Sequence, residues 1–186
     1  MHKFLESHIQ GVGYDDLTTI GCEARPMADK VIEVGLAPVE EYYGSEVMLH
    51  YPGLYAGSTD LICLHNSKET VVDFKQSNRP KKEEWIEDYY LQISAYAMAH
   101  DYVYGSKIEQ GVIMVCTPDL YYQEFKVEGL QLRKYKHKFL KRLDMYNELI
   151  HDEKERAKVD PSTLLKEFER DTQNDPFKGT SMEGKD

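Results

Sequence analysis

Two aspartates and a lysine are placed where their side chains could act together. Asp60 lies in one run of strand-forming residues, 54–65, and Asp73 and Lys75 lie in the next run, 70–77. Carboxylate oxygens are the ligands that hard divalent cations prefer, and an ammonium group can stabilise a negative charge that develops during a reaction. These residue types therefore indicate phosphate chemistry assisted by a metal ion.

The four residues between the two runs have turn chemistry, which predicts a β-hairpin. With the turn centred between Ser67 and Lys68, Asp60 lies opposite Lys75. Because side chains alternate between the faces of a strand, Asp73 then shares the face of Lys75 and lies about 7 to 8 Å diagonally from Asp60. Two carboxylates and an ammonium group are thus predicted to converge.

Such a convergence is costly in a plain sheet, because neighbouring acids repel and an unpaired buried charge costs several kcal/mol. A divalent cation removes the repulsion, and Mg²⁺ is typically held by one or two carboxylates, by waters and by substrate phosphates. Lys75 would then orient a water molecule or stabilise the transition state. The alternative is that Asp60 caps a strand, while Asp73 and Lys75 form an ion pair on a solvated sheet face.

The elements that must position these residues follow from hydrophobic periodicity and from turn residues. The run 82–104 places Ile86, Tyr90, Ile93 and Ala97 on one helical face, and Gly105 follows as a stop. The sequence also predicts helices over 1–10, 29–34 and 130–156, an extended segment over 38–50, a strand buried on both faces over 111–116, and its partner strand over 121–127.

The length and composition indicate a single domain over 1–157, followed by a short helix and a polar tail over 158–186. The short helix would be capped by Asp160 or Ser162. A net charge of −10 argues against a protein that grips long duplex DNA non-specifically. Three scattered cysteines suit neither a disulfide framework nor a zinc or iron–sulfur site. Without a signal peptide or an apolar span, a soluble cytoplasmic protein is expected.

Four linked segments resemble the PD-(D/E)XK nuclease superfamily in its RecB-like branch. YAGSTDLI resembles the G-x-x-D strand, VVDFKQS the D-x-K strand, and LQISAYA the Q-x-x-x-Y helix, and HKFLE near the start resembles the branch's H-x-x-L-E helix. Within the branch, residues 46–154 are most similar to mitochondrial genome maintenance exonuclease and related phage exonucleases.

The resemblance implies that 1–157 is a nuclease domain, with a core of helix, three strands, helix and strand, and that it hydrolyses DNA with Mg²⁺ or Mn²⁺, often from single-stranded ends. It implies Asp60 and Asp73 as metal ligands, with the Phe74 carbonyl as a further one, and Lys75 as the group that assists the attacking water. The same resemblance suggests positioning roles for Gln92 and Tyr96, a metal or phosphate contact for His2 with His8 as the weaker choice, and a metal contact for Glu46.

Single-stranded DNA is usually held by aromatic side chains beside a positively charged track. Residues that could form such a channel follow the D-x-K strand: Ser77, Arg79, Lys81, Lys82, Trp85 and Tyr89. Packing is the alternative for most tyrosines. A single-strand-binding or replication protein could bind the C-terminal tail. An endonuclease or RNase with the same chemistry, and a DNA-binding protein without catalysis, are the competing functions.

Overall fold

The computed structural model describes residues 1–157, with side chains described through residue 151. The tail over 158–186, with its predicted helix, lies outside the described residues. The chain divides into two compact units, Met1–Leu143 and Asp144–Asp186. The helices and strands are α1 (His2–Ile9), α2 (Thr19–Lys30), β1 (Val39–Tyr51), β2 (Tyr55–His65), β3 (Lys68–Gln76), α3 (Glu87–Tyr104), β4 (Gln110–Cys116), β5 (Tyr122–Glu128) and α4 (Gly129–Ala157).

The strands form one mixed sheet in the order β1-β2-β3-β4-β5. The first three strands are antiparallel neighbours, β3 and β4 run parallel, and β5 returns antiparallel to β4. A parallel pair needs a crossover connection, which α3 supplies. The predicted order of helix, three strands, helix and strand is confirmed, as is the mixed α/β fold class.

Each face of the sheet carries its own hydrophobic core. The first core lies beneath α1 and α2 and contains Leu5, Met27 and Phe74. The second lies beneath α3, and the predicted apolar face of that helix is confirmed: Ile86, Tyr90, Ile93 and Ala97 are all buried there. Every residue of β4 is buried, as expected for a strand that is covered on both faces.

The hairpin register differs from the prediction by two residues. Asn66 and Ser67 both have positive φ, at 50° and 60°, and form a two-residue turn that pairs His65 with Lys68. Two positive φ values match the twist of a tight hairpin, which is why the chain turns one residue earlier than predicted. Extending this register would place Asp60 opposite Asp73 and not opposite Lys75. The predicted pairing of Asp60 with Lys75 is therefore wrong.

Two helices also begin elsewhere than predicted. The weak helical stretch over 29–34 is the end of α2 and a π-helical turn, Val31–Gly35. The earlier start of α2 is fixed by Thr18, whose side-chain oxygen accepts the Gly21 N–H at 3.1 Å. The helix predicted from residue 82 starts at Glu87, after a 3₁₀ turn over Glu83–Trp85.

Within residues 1–157, no helix combines the length and the apolar character that a membrane crossing requires.

Gly111 in β4 lets α3 approach the sheet closely. A Cβ atom at this position would lie 2.8 Å from Ile93 Cγ2, inside a fully buried core. We therefore expect Gly111→Ala to lower the free energy of unfolding by about 1–3 kcal/mol, the usual cost of overpacking. Gly13→Ala is the matched control, because a Cβ atom at that position would meet nothing within 4 Å. Urea unfolding of both variants checks this, and an unchanged midpoint for Gly111→Ala would contradict it.

Candidate active site at the open end of the second and third strands

The pairing between β2 and β3 stops at Leu61 and Val72, before either strand ends. Beyond that point, side chains of β2 bind the backbone of β3. Thr59 Oγ1 donates to the Val72 carbonyl at 3.3 Å, and Asp60 Oδ2 accepts the Phe74 N–H at 2.6 Å. The Asp60 carboxylate therefore lies in the gap between the two strands rather than on a sheet face.

The alternation of faces along β2 breaks at this level. A Cβ atom on Gly57 would lie 2.8 Å from Tyr96 of α3, so this position faces α3. Leu61 and Cys63, which would share that face in a regular strand, instead belong to the core beneath α1 and α2. Asp60 lies within this break, which explains why its side chain enters the gap.

Asp73 and Lys75 form an ion pair on the α3 side of β3. Asp73 Oδ2 lies 2.6 Å from Lys75 Nζ, and the Asp73 side chain is 5% exposed. Lys75 is the one charged partner that the described residues give to Asp73 Oδ2. Lys75 Nζ also lies 5.2 Å from the centre of the Tyr89 ring. The ammonium group is thus held between a carboxylate and an aromatic face.

His2 reaches the same gap from α1. Its Nε2 lies 2.7 Å from the Phe74 carbonyl oxygen and 3.6 Å from Asp60 Oδ2. Both polar backbone groups of Phe74 are therefore bound by side chains, the N–H by Asp60 and the carbonyl by His2. The structure brings together five of the predicted site residues: His2, Asp60, Asp73, Phe74 and Lys75.

The two carboxylates are electrostatically unfavourable in this position. Burial, followed by the neighbouring Asp73 carboxylate, raises the pKa of Asp60 to about 6, although the Phe74 N–H opposes the shift. Burial also raises the pKa of Asp73, and the Lys75 ammonium opposes that shift. Removal of water is thus the larger effect on both acids, and one ammonium does not offset it.

The donor set of this gap fits a hard divalent cation. Two mostly buried carboxylates, Asp60 and Asp73, share this part of the fold with the Phe74 carbonyl, and one ammonium group is their charged partner. Among the described residues, no three His, Cys, Asp or Glu side chains form a group that could hold a metal unaided. Mg²⁺ does not require one, because waters and substrate phosphates usually complete its coordination.

Gln92 and Tyr96 contact each other rather than the acids. Gln92 Nε2 donates to the Tyr96 hydroxyl at 2.9 Å, and the Tyr96 ring packs against Gly57. The pair therefore connects α3 to the part of β2 that precedes Asp60. In the sequence, Gly57 stands out only as the glycine of the G-x-x-D motif. Its contact with the Tyr96 ring joins two segments that are distant in the chain, so the sequence alone does not predict it.

Among the described residues, Glu46 and His8 form no hydrogen bond or ion pair with Asp60 or Asp73. Glu46 is exposed, has φ of +50°, and accepts a hydrogen bond from Ser58 Oγ at 3.4 Å. His8 is exposed on α1 and lines a cavity of about 310 Å³ between α1 and α2, together with Arg25. Neither side chain is grouped with the two carboxylates.

The residues predicted to contact DNA divide into two kinds. Ser77 is buried, and its hydroxyl donates to the Arg79 carbonyl at 2.7 Å, so it is used within its own turn. Lys81 is held by its backbone, which exchanges two hydrogen bonds with the Gln123 side chain at 2.6 and 2.9 Å. The side chains of Arg79, Lys82 and Trp85 are exposed, and that of Tyr89 is half-buried beneath Lys75.

Comparisons with known proteins identify similar folds and no close relative. No family model matches the chain, and no curated protein matches it significantly. A solved structure from Eubacterium rectale, of a protein assigned as an exonuclease, superposes with a TM-score of 0.53 at 12% identity, over 77% of this chain and 62% of that chain. The chain thus spans less than two thirds of that protein's length.

A second similarity is weaker. The alkaline exonuclease LHK-Exo from Laribacter hongkongensis, alone and in complex with dAMP, matches with a TM-score of 0.34 at 12% identity, over 82% of each chain. Of these two proteins, the Eubacterium rectale one supports the fold class, and at 12% identity the similarity concerns the fold alone.

The raised pKa of Asp60 predicts a pH-dependent stability. The folded chain keeps the Asp60 proton up to a pH of about 6, whereas an unfolded chain releases it near the ordinary pKa of about 3.9. Because the folded state binds more protons in this window, stability falls as the pH rises through it and stays lower above it.

In metal-free buffer at pH 8, we expect Asp60→Asn to be more stable than the wild type by about 1–3 kcal/mol, because the amide oxygen can still accept the Phe74 N–H without a buried charge. The difference should shrink below about pH 4, where the aspartate is protonated in both states. Urea unfolding at both pH values measures it, with the exposed Asp15→Asn as the control. A loss of stability at pH 8 would contradict the prediction.

Proposed function

We propose that this chain is a metal-dependent nuclease that hydrolyses DNA phosphodiester bonds. The observation that carries the proposal is the gap between β2 and β3, where Asp60 binds the Phe74 N–H and His2 binds the Phe74 carbonyl, while the flanking residues Asp73 and Lys75 form a mostly buried ion pair. Such a set of oxygen donors next to an ammonium group suits a phosphate ester and a hard cation.

Asp60 and Asp73 would hold Mg²⁺ or Mn²⁺, with the Phe74 carbonyl as a further ligand. When bound, the ion would polarise a phosphate oxygen and lower the pKa of a coordinated water. Asp60 is fixed for this role by the Phe74 N–H, which orients its carboxylate. His2 now binds the Phe74 carbonyl at 2.7 Å, so that side chain must share or release this oxygen.

Lys75 is the group that would act on the reacting atoms. Its ammonium lies 2.6 Å from Asp73 and over the Tyr89 ring, at the border between the buried carboxylates and solvent. From there the ammonium group can donate a hydrogen bond to the oxygen of a water molecule. It can also stabilise the negative charge that develops on the phosphate oxygens. Because the site is largely dry, each of these interactions is stronger than it would be in water.

We infer further that the enzyme is a RecB-like exonuclease that acts on single-stranded DNA ends, in phage-type recombination, repair or degradation in the cytoplasm. The resemblance of the four motifs to this branch supports the inference, as does the similar fold of the Eubacterium rectale protein, which is assigned as an exonuclease. Every residue of the Asp60, Asp73 and Lys75 set is present, which favours an enzyme over a protein that only binds DNA.

Digestion of labelled DNA tests this function. The substrates are linear single and double strands labelled at either end, together with a closed single-stranded circle, each with Mg²⁺, Mn²⁺ or EDTA. We expect metal-dependent loss of the linear single strands and survival of the circle. Lys75→Ala should lower the rate by at least about 100-fold, since it removes a charge that stabilises the transition state.

Lys68→Ala is the matched control for Lys75→Ala. Lys68 lies at the other end of β3, where it pairs with Glu128, and its loss should leave digestion unchanged. Cutting of the circle would replace the exonuclease with an endonuclease, and digestion of RNA alone would replace the substrate. Full activity of Lys75→Ala, or activity in EDTA, would contradict the proposed mechanism.

Metal binding can be measured without any DNA. A ligand that binds only the folded state stabilises it, by about 1.4 kcal/mol at about ten times its Kd. We therefore expect Mn²⁺ to raise the melting temperature of the wild type and of Asp15→Asn, and to leave that of Asp73→Asn unchanged. An equal shift in all three proteins would place the metal elsewhere.

A further inference from the structure

Trp85 is exposed on a segment that is held firmly in place. It is the chain's single tryptophan, and 59% of it is exposed. Isolated apolar residues on a surface are common and need no explanation by themselves. The surroundings of Trp85 set it apart from such residues, because they combine a fixed backbone with a cation over the ring.

The backbone on both sides of Trp85 is anchored. Lys81 is bound to the Gln123 side chain by two hydrogen bonds, at 2.6 and 2.9 Å. The backbone N–H of Trp85 donates to the Lys82 carbonyl at 2.9 Å. The next residue, Ile86, is fully buried in the core beneath α3. The indole is therefore presented to solvent from a rigid base, so that little ordering would be needed for a ligand to bind it.

Two cation–aromatic pairs lie on this part of the chain, one at the candidate active site and one at Trp85. Lys75 Nζ, which pairs with Asp73, lies 5.2 Å from the centre of the Tyr89 ring. Trp85 precedes Tyr89 by four residues, and Lys82 Nζ lies 5.1 Å from the centre of the Trp85 ring. This combination of stacking surface and positive charge is the one that proteins use to hold single-stranded nucleic acid.

We propose that Trp85, with Lys82, is a stacking platform for an unpaired DNA base, and that it selects single strands for the candidate active site. This inference rests on the proposed nuclease function and deepens it. An indole can stack on any base, so the platform would not depend on sequence. In a duplex the base faces are covered by neighbouring pairs except on the outer side of the two terminal pairs, so a single strand offers the platform far more stacking surface than a blunt duplex does.

Charge alone would not hold DNA strongly on this surface. Three of the acidic residues near Trp85 are each matched by a cation: Glu84 by Lys82, Glu87 by Lys138, and Asp88 by Arg142. The chain as a whole carries a net charge of −10. These pairs reduce the attraction that Lys82, Lys138 and Arg142 exert on phosphates, so we expect stacking on the indole to supply the larger share of the affinity.

The single tryptophan allows a direct test in the full-length chain. The Lys75→Ala variant in EDTA is titrated with oligothymidylate, with an abasic oligonucleotide of the same length and charge, and with a blunt duplex, while tryptophan fluorescence is recorded. We expect oligothymidylate to quench the fluorescence and the other two probes to leave it unchanged, because only the first has unpaired bases.

Variants measured with a fluorescently labelled oligothymidylate separate stacking from general contact. Trp85→Ala should raise the Kd by about 5- to 100-fold, the range for loss of one stacked base. Trp85→Phe keeps an aromatic face and should recover most of that affinity. Tyr104→Ala is the matched control, because Tyr104 is also 59% exposed but lies at the opposite end of α3.

Each outcome decides the proposal. Equal quenching by the abasic probe, or an unchanged Kd for Trp85→Ala, would overturn the stacking platform even if the wild type digests DNA, so the nuclease function would stand without it. Selective quenching with no digestion under any condition would support the platform and contradict the nuclease. If no probe binds and nothing is digested, both are wrong.

Discussion

The hydrogen bond from the Phe74 N–H to Asp60 is the interaction on which the candidate site depends. In a complete hairpin the strand partner would take this N–H, and both polar groups of Phe74 would be used inside the sheet. Here the backbone pairing ends at Leu61 and Val72, and the side chains of Thr59 and Asp60 bind the backbone of β3 instead. The same opening that gives Asp60 its position exposes the Phe74 carbonyl to His2. The interrupted pairing of β2 and β3 therefore brings together His2 of α1, the Asp60 carboxylate of β2 and the backbone of Phe74.

An arrangement that buries two carboxylates is unfavourable, so the rest of the fold must hold it. Phe74 and Val72 point into the core beneath α1 and α2, where both are buried, and this fixes the backbone on either side of Asp73. The other face is covered by α3, whose Ile93 packs closely over Gly111. Packing on both faces compensates for the repulsion and desolvation that raise the pKa of both acids.

The sequence predicted the strands and the face of α3, because alternation and helical spacing depend only on neighbours along the chain. It predicted the meeting of Asp60, Asp73 and Lys75 for partly wrong reasons. The turn lies at Asn66 and Ser67, and strand alternation breaks near Asp60. Both features depend on backbone angles and on contacts across the fold, for which a single sequence carries little signal. The start of α2 was missed because its apolar residues are small and are interrupted by Pro26.

The pair of Gln92 and Tyr96 contacts the strand that carries Asp60. Tyr96 occupies the space that a side chain at position 57 would fill, and Gln92 holds its hydroxyl at 2.9 Å. Tyr55 of the same strand donates to the Ala95 carbonyl at 2.9 Å, so the start of β2 is tied to α3 at two points. A few residues later, Leu61 and Cys63 of β2 pack in the core on the other face of the sheet, beneath α1 and α2. Asp60 lies between the part of β2 that contacts α3 and Leu61, which packs in the core beneath α1 and α2, and its direction into the gap is consistent with this change of face. Gln92 and Tyr96 are therefore linked to the strand of Asp60 without a hydrogen bond to either carboxylate among the described residues.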